Sequence, residues 1–162
     1  MTLLIDAHCH AGKGDALTGP RDTDAPLGGY VRRVRRAGIH KTVIFAPFHS
    51  DYGVANAAVA RIFRANPRRF IGFAFVHATR GAGRVRQMVE HAVRVWGFKV
   101  HPIDAPATRE VCEVARAWQL PVIYDVVGEA YRVELPAREY PDVSFNVPHL
   151  AGSPMTGVPS NS

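Results

Sequence analysis

Two histidines one residue apart, His8 and His10, close the segment Leu3-Leu4-Ile5-Asp6-Ala7-His8-Cys9-His10. The apolar run upstream reads as a buried strand. Side chains alternate along a strand, so both imidazoles face the same side. Neutral imidazole nitrogens bind zinc and similar divalent ions, and a catalytic metal needs two or three such ligands with one position left to water or substrate. A bare His-x-His is of modest specificity, and a pair of packed or surface histidines is its bland alternative. Its position at the carboxyl end of a strand favours the chemical reading, because parallel α/β folds keep their sites there. Cys9 alternates to the other side and reads as a small residue packed behind the strand.

Further histidines follow apolar runs. His101 ends Gly97-Phe98-Lys99-Val100, and His149 comes after Phe145-Asn146-Val147-Pro148. Histidines that repeatedly end parallel strands converge on one mouth of a fold. His49 and His77 also follow such runs, but read more simply as polar rim residues. His40 and His91 fall in turn or helical contexts and read as surface residues.

The elements that must position these groups alternate in a regular beat. Six β-branched or apolar runs, Leu3–Ala7, Thr42–Ala46, Phe70–Val76, Trp96–Val100, Pro121–Val126 and Val143–Val147, are separated by stretches of helical spacing. These are Tyr30, Val31, Val34 and Ala37; Val59, Ile62 and Phe63; residues 85–93; and Val111, Val114, Ala115 and Trp118. Gly38 and Asn66-Pro67 are helix stop signals, and the stretch from Gly128 to Asp142 reads as a short helix plus loop. Near-continuous apolar strands with crossover helices imply a parallel sheet covered on both faces. The first loop, Ala11-Gly12-Lys13-Gly14-Asp15, has neither Rossmann nor P-loop spacing, which disfavours a doubly wound nucleotide fold.

With 162 residues, 47% of them apolar, the chain can bury one real core. No window approaches the roughly 18 apolar residues of a membrane span, and no signal-peptide pattern opens the chain. A cytoplasmic location is the expectation. Two distant cysteines make no disulfide framework. The net charge of +6 raises nucleic acid as a partner. The arginines, however, are spread over the outer faces of several helices, including Arg32, Arg33, Arg35, Arg36, Arg61, Arg64, Arg84, Arg86 and Arg94, and no aromatic residues interleave with them. A small-molecule substrate is expected, with neither nucleic acid nor membrane.

Ile5-Asp6-Ala7-His8-Cys9-His10, Gly97-Phe98-Lys99-Val100-His101-Pro102, Leu120-Pro121-Val122-Ile123 and His149-Leu150-Ala151-Gly152, in that order, resemble the amidohydrolase-related metal-dependent hydrolases. The branch is the one that includes the aminocarboxymuconate semialdehyde decarboxylases. The resemblance implies a (β/α)8 barrel with a divalent metal, usually zinc, at the carboxyl ends of the strands. It makes His8 and His10 the first two ligands. His149 matches a histidine that activates or orients a metal-bound water, and Lys99 and His101 match a fourth-strand motif of variable role, here taken as catalytic. Asp125 stands where the family usually has a histidine ligand, and since a carboxylate ligates zinc it is the third metal candidate.

The resemblance also implies a shortened barrel, an α/β fold of TIM type with about six of eight βα units over residues 1–152 and a polar, Pro-rich tail over 153–162. The aspartate that the family carries after its eighth strand has no counterpart. Open edges on the first and sixth strands would be covered by partner strands or a second copy of the chain. Three functions follow. The first is a hydrolase using a metal-activated water on a small molecule, with decarboxylation as a variant of it. The second is a catalytically silent shortened barrel or assembly subunit. The third is a TatD-type deoxyribonuclease, which also carries a first-strand His-x-His but asks for a glutamate where this chain has Lys99 and His101.

Overall fold

A computed structural model describes residues 2–15, 24–79, 86 and 96–151. The helical reading over 85–93, apart from residue 86, lies outside these residues, as do His91, Arg84, Arg94 and the 153–162 tail.

Strands and helices alternate as the spacing predicts. They are β1 (Ile5–His10), β2 (Gly12–Lys13), β3 (Asp24–Ala25), α1 (Leu27–Arg36), β4 (Lys41–Phe45), α2 (Tyr52–Ala65), β5 (Phe70–Gly72), β6 (Ala74–Phe75), β7 (Phe98–Val100), α3 (Arg109–Ala117), β8 (Val122–Tyr124), α4 (Tyr131–Glu139) and β9 (Phe145–Asn146). A 3-10 turn, Pro148–Ala151, follows β9. β2 and β3 form a short antiparallel pair that periodicity does not foretell.

All other pairings are parallel: β1 with β4, β4 with β5, β6 with β7, β7 with β8 and β8 with β9. The run from Phe70 to Phe75 changes neighbours at Phe73. The Phe73 N–H donates to the Ile44 carbonyl at 2.9 Å, whereas the next N–H, of Ala74, donates to Gly97 at 3.0 Å. The two sheets are therefore one array in the order β1-β4-β5/β6-β7-β8-β9. This is the curved, parallel (β/α) arrangement of a TIM-type barrel with six strand positions. Where β6 leaves β4, the Asn56 amide from α2 replaces the ladder, accepting from Phe75 N–H and donating to Phe75 carbonyl oxygen, each at 2.9 Å. A buried backbone is thereby satisfied.

Helix ends follow their sequence signals. Asp51 caps α2 by accepting from Gly53 N–H at 2.7 Å, and Asn66 ends it before Pro67. Gly38, at φ +70°, takes the left-handed position after α1, whose last turn carries Arg33, Arg35 and Arg36. These arginines, with Arg32, Arg61 and Arg64, are exposed.

The core falls into two clusters, one built mainly on β7, β8 and α3 and the other on β4 and α2. Phe98, Val100, Val122 and Tyr124 pack outward on Val111, Val114 and Ala115 of α3. Ile123 belongs instead with Phe45, Phe75, Phe48 and Val59. Lys99, between Phe98 and Val100, takes the inward direction, with Nζ 5.3 Å from the Phe45 ring centre. Cys9 packs at the edge of the second cluster, and both cysteines are free. Among the described residues β1 pairs only with β4, and β9 only with β8. The run Leu3, Leu4 and Ile5, expected in a buried strand, is instead exposed beside the first of these edges, where no strand among the described residues covers it. No helix among the described residues is long and apolar enough to cross a membrane.

Candidate metal centre

The inward positions at the carboxyl ends of β1, β7 and β8 bring His8, Lys99 and Asp125 together, and the turn after β9 adds His149. Ligand atoms of His8, Asp125 and His149 all lie within 4.8 Å of one another. The His8 and His149 rings meet edge to face at 4.5 Å, and His149 Nε2 is 4.0 Å from Asp125 Oδ2. The Asp125 side chain is 11% exposed and that of His149 is 56% exposed. His149 sits at φ +55°, a left-handed position uncommon for a residue with a Cβ.

Lys99 is the buried centre of the group, with 0% exposure. Its Nζ donates to His8 Nε2 at 3.0 Å and to Asp125 Oδ2 at 3.2 Å. Since Nε2 accepts, the neutral His8 ring carries its proton on Nδ1. His101 adopts the opposite tautomer. The Ile103 N–H donates to its Nδ1 at 3.2 Å, which leaves the ring proton on Nε2, 3.7 Å from Asp125 Oδ2. His101 therefore faces the carboxylate as a donor. His10 lies on the same side as His8, the ring centres 5.7 Å apart, and its Nδ1 donates to the Ala46 carbonyl at 3.1 Å. It falls outside the tight group of three. That donation puts the lone pair on Nε2, the arrangement in which ligand histidines are commonly held.

Burial, and then the Lys99 charge, push His8 down to about 3. Burial likewise pushes His101 down to about 4 against the pull of Asp125. Lys99 is pushed down to about 8 by burial, opposed by the charge and hydrogen bond of Asp125. Burial alone would raise Asp125, but Lys99 and His101 hold its carboxyl below the ordinary carboxylate range. His8 and His101 are thus neutral and Asp125 ionised near neutral pH, and for His8 and Asp125 these are the protonation states a divalent ion requires of its ligands. The imidazoles of His8 and His149 and the Asp125 carboxylate, within one ion's reach, fit zinc chemistry.

His49 and His77 stand at the rim, as expected. His49 Nδ1 accepts from Asp51 N–H at 2.9 Å, and His77 Nδ1 lies 3.4 Å from Thr79 N. His40 is exposed and accepts from Leu4 N–H at 3.1 Å.

No protein-family model and no curated protein matches the sequence. Solved structures do match. A probable 2-pyrone-4,6-dicarboxylic acid hydrolase from Acinetobacter baumannii superposes with a TM-score of 0.63 at 18% identity, covering 90% of this chain and 57% of that one. A 4-oxalomesaconate hydratase from Rhodopseudomonas palustris gives 0.64 at 15% identity, covering 93% and 64%. A 5-carboxyvanillate decarboxylase from Sphingomonas paucimobilis gives 0.66 at 13% identity, covering 92% and 68%. This chain shares their fold. The shared barrel agrees with the fold that the sequence motifs imply, and the chain spans less than two thirds of the length of the first two structures.

Several supporting residues escape sequence reading. Asp6 accepts from His8 N–H at 3.1 Å and from the Tyr30 hydroxyl at 2.6 Å. Tyr52 stacks on Phe75 and donates to Asp104 at 2.5 Å, fastening the start of α2 to the loop that carries His101. Asp15 accepts from Ser50 N–H at 2.9 Å and from its hydroxyl, closing the first loop on the β4 loop. An Asp-Ala-His-x-His sequence hints at the first of these contacts. The other two join residues at least 35 positions apart and leave no local signal.

Proposed function

We propose that the chain belongs to the amidohydrolase-related enzymes and carries a site for metal-dependent hydrolysis of a small carboxylate-bearing molecule. The observation that carries this reading is the convergence of His8, Asp125 and His149 at the carboxyl ends of parallel strands. Of that group His8 and Asp125 would hold the ion, with His10, whose ring centre is 5.7 Å from that of His8, as the third ligand. When bound, zinc supplies Lewis acidity and brings the pKa of water toward neutrality. Without the ion, Lys99 keeps Asp125 ionised, and His101 Nε2 faces the carboxylate at 3.7 Å. His149, on the exposed side and on a turn instead of a strand, takes and returns the proton of the attacking water. The substrate class draws on the neighbours, whose names include a dicarboxylic acid and a carboxyvanillate.

The test is turnover of a panel of lactones, amides and aromatic acids bearing carboxylates by zinc-loaded protein. His149→Ala is expected to keep its zinc and lose about 100-fold or more in kcat, the scale of a lost general acid or base. Equal turnover by His149→Ala would remove His149 from the mechanism.

A further inference from the structure

His8 Nε2 has a single in-plane lone pair, and Lys99 Nζ already occupies it at 3.0 Å. The same ammonium holds Asp125 Oδ2 at 3.2 Å. A cation thus stands between two of the three groups that converge for a metal. It is not a loosely placed surface lysine. Its side chain is completely buried, and its Nζ sits over the Phe45 ring as well.

We propose that Lys99 is a built-in competitor of the metal, holding His8 and Asp125 together and leaving them to a divalent ion only when its side chain is displaced. This inference rests on the metal-site reading above and deepens it to the regulation of that site. A lone pair cannot accept a hydrogen bond and coordinate an ion at once, so zinc and the ammonium exclude each other at His8. A positive charge left beside a divalent ion would also repel it. Metal entry therefore includes a rearrangement of a packed side chain, which weakens affinity and slows uptake. Lysine gives the pair a resident counter-cation, so His8 and Asp125 keep a satisfied arrangement without metal. Removing the amine should release both groups for zinc.

Zinc affinity and uptake rate are measured by competition with a chromophoric chelator for the unaltered chain, Lys99→Met, Lys99→Gln and His8→Ala/Lys99→Met, each checked for folding by circular dichroism. The expected result is zinc bound about tenfold or more tightly, and faster, by Lys99→Met and Lys99→Gln, the scale on which groups surrounding a metal site alter its affinity. The gain should vanish in the His8→Ala double variant. Zinc bound equally or more weakly by both Lys99 variants than by the unaltered chain overturns the competitor role while leaving the metal site standing. Zinc bound by none of the proteins overturns both. If neither single variant folds, the Lys99 Nζ resonance of the labelled unaltered chain decides. Zinc binding must shift it, and an unmoved resonance in zinc-loaded protein overturns the proposal.

Discussion

Tyr30 donates its hydroxyl proton to Asp6 at 2.6 Å. Asp6 uses its other oxygen to accept from the His8 N–H at the place where the register of β1 against β4 shifts. Because the tyrosine proton is committed to a carboxylate, the buried Thr42 hydroxyl is the donor in its 2.8 Å contact with Tyr30. Burial, and then the Asp6 hydrogen bond, push the Tyr30 phenol up, so it remains a donor. The chain Thr42–Tyr30–Asp6–His8 thus carries α1 and β4 to the backbone of a site histidine.

Tyr30→Phe is expected to cost about 1.5–3 kcal/mol, the range for losing a hydrogen bond to a charged group. Urea denaturation monitored by circular dichroism measures it. A change below about 0.5 kcal/mol would show that the contact does not anchor β1.

Gly97 precedes β7 at a point where no side chain fits. A Cβ there would run into the Phe73 ring and stand 2.7 Å from the Pro121 carbonyl oxygen. Backbone on that side cannot retreat without breaking the bond from Phe98 N–H to the same Pro121 oxygen. Gly97→Ala should therefore lose about 1–3 kcal/mol by overpacking. Unchanged stability in the same denaturation assay would mean that β6, β7 and β8 are not as tightly apposed as described.

The buried imidazoles set the acid limb of stability in chelator-containing buffer. His8 and His101 ordinarily titrate at 6.5 but are held at about 3 and about 4 in the fold. As pH falls below 6.5 the unfolded chain takes up protons that the folded rings refuse, so stability drops through the window from 6.5 to about 4 and on to about 3. Lys99, lowered from 10.5 to about 8, works the same way at the alkaline end, and its contribution rises with pH across that interval. Denaturation midpoints between pH 4.5 and 6.5 should fall less steeply for His8→Gln and His101→Gln than for the unaltered chain. Identical slopes would contradict the assigned burial of these rings.

Legibility in the sequence followed the range of the interactions. Strand positions and the common inward face of His8 and His10 depend on nearest-neighbour alternation, and six apolar runs expose them. The break at Phe73 is invisible because the sequence run from Phe70 to Val76 is uninterrupted, and only the change of hydrogen-bonding partner from Ile44 to Gly97 divides it. Asp125 and Lys99 were legible as residues at strand ends once the motifs were aligned with a family. Their pairing was not, because register between β7 and β8 decides that Lys99 stands beside Ile123 with Asp125 just beyond. The Tyr52–Asp104 bond spans 52 positions and depends wholly on the closure of the array.

Zinc stoichiometry decides whether His8 belongs to a metal centre. Folded chain and His8→Ala are incubated with zinc, desalted and analysed by inductively coupled plasma mass spectrometry. Close to one zinc per unaltered chain is expected, and loss of most of it in His8→Ala. Full zinc retention in His8→Ala, or none in the unaltered chain, would contradict it.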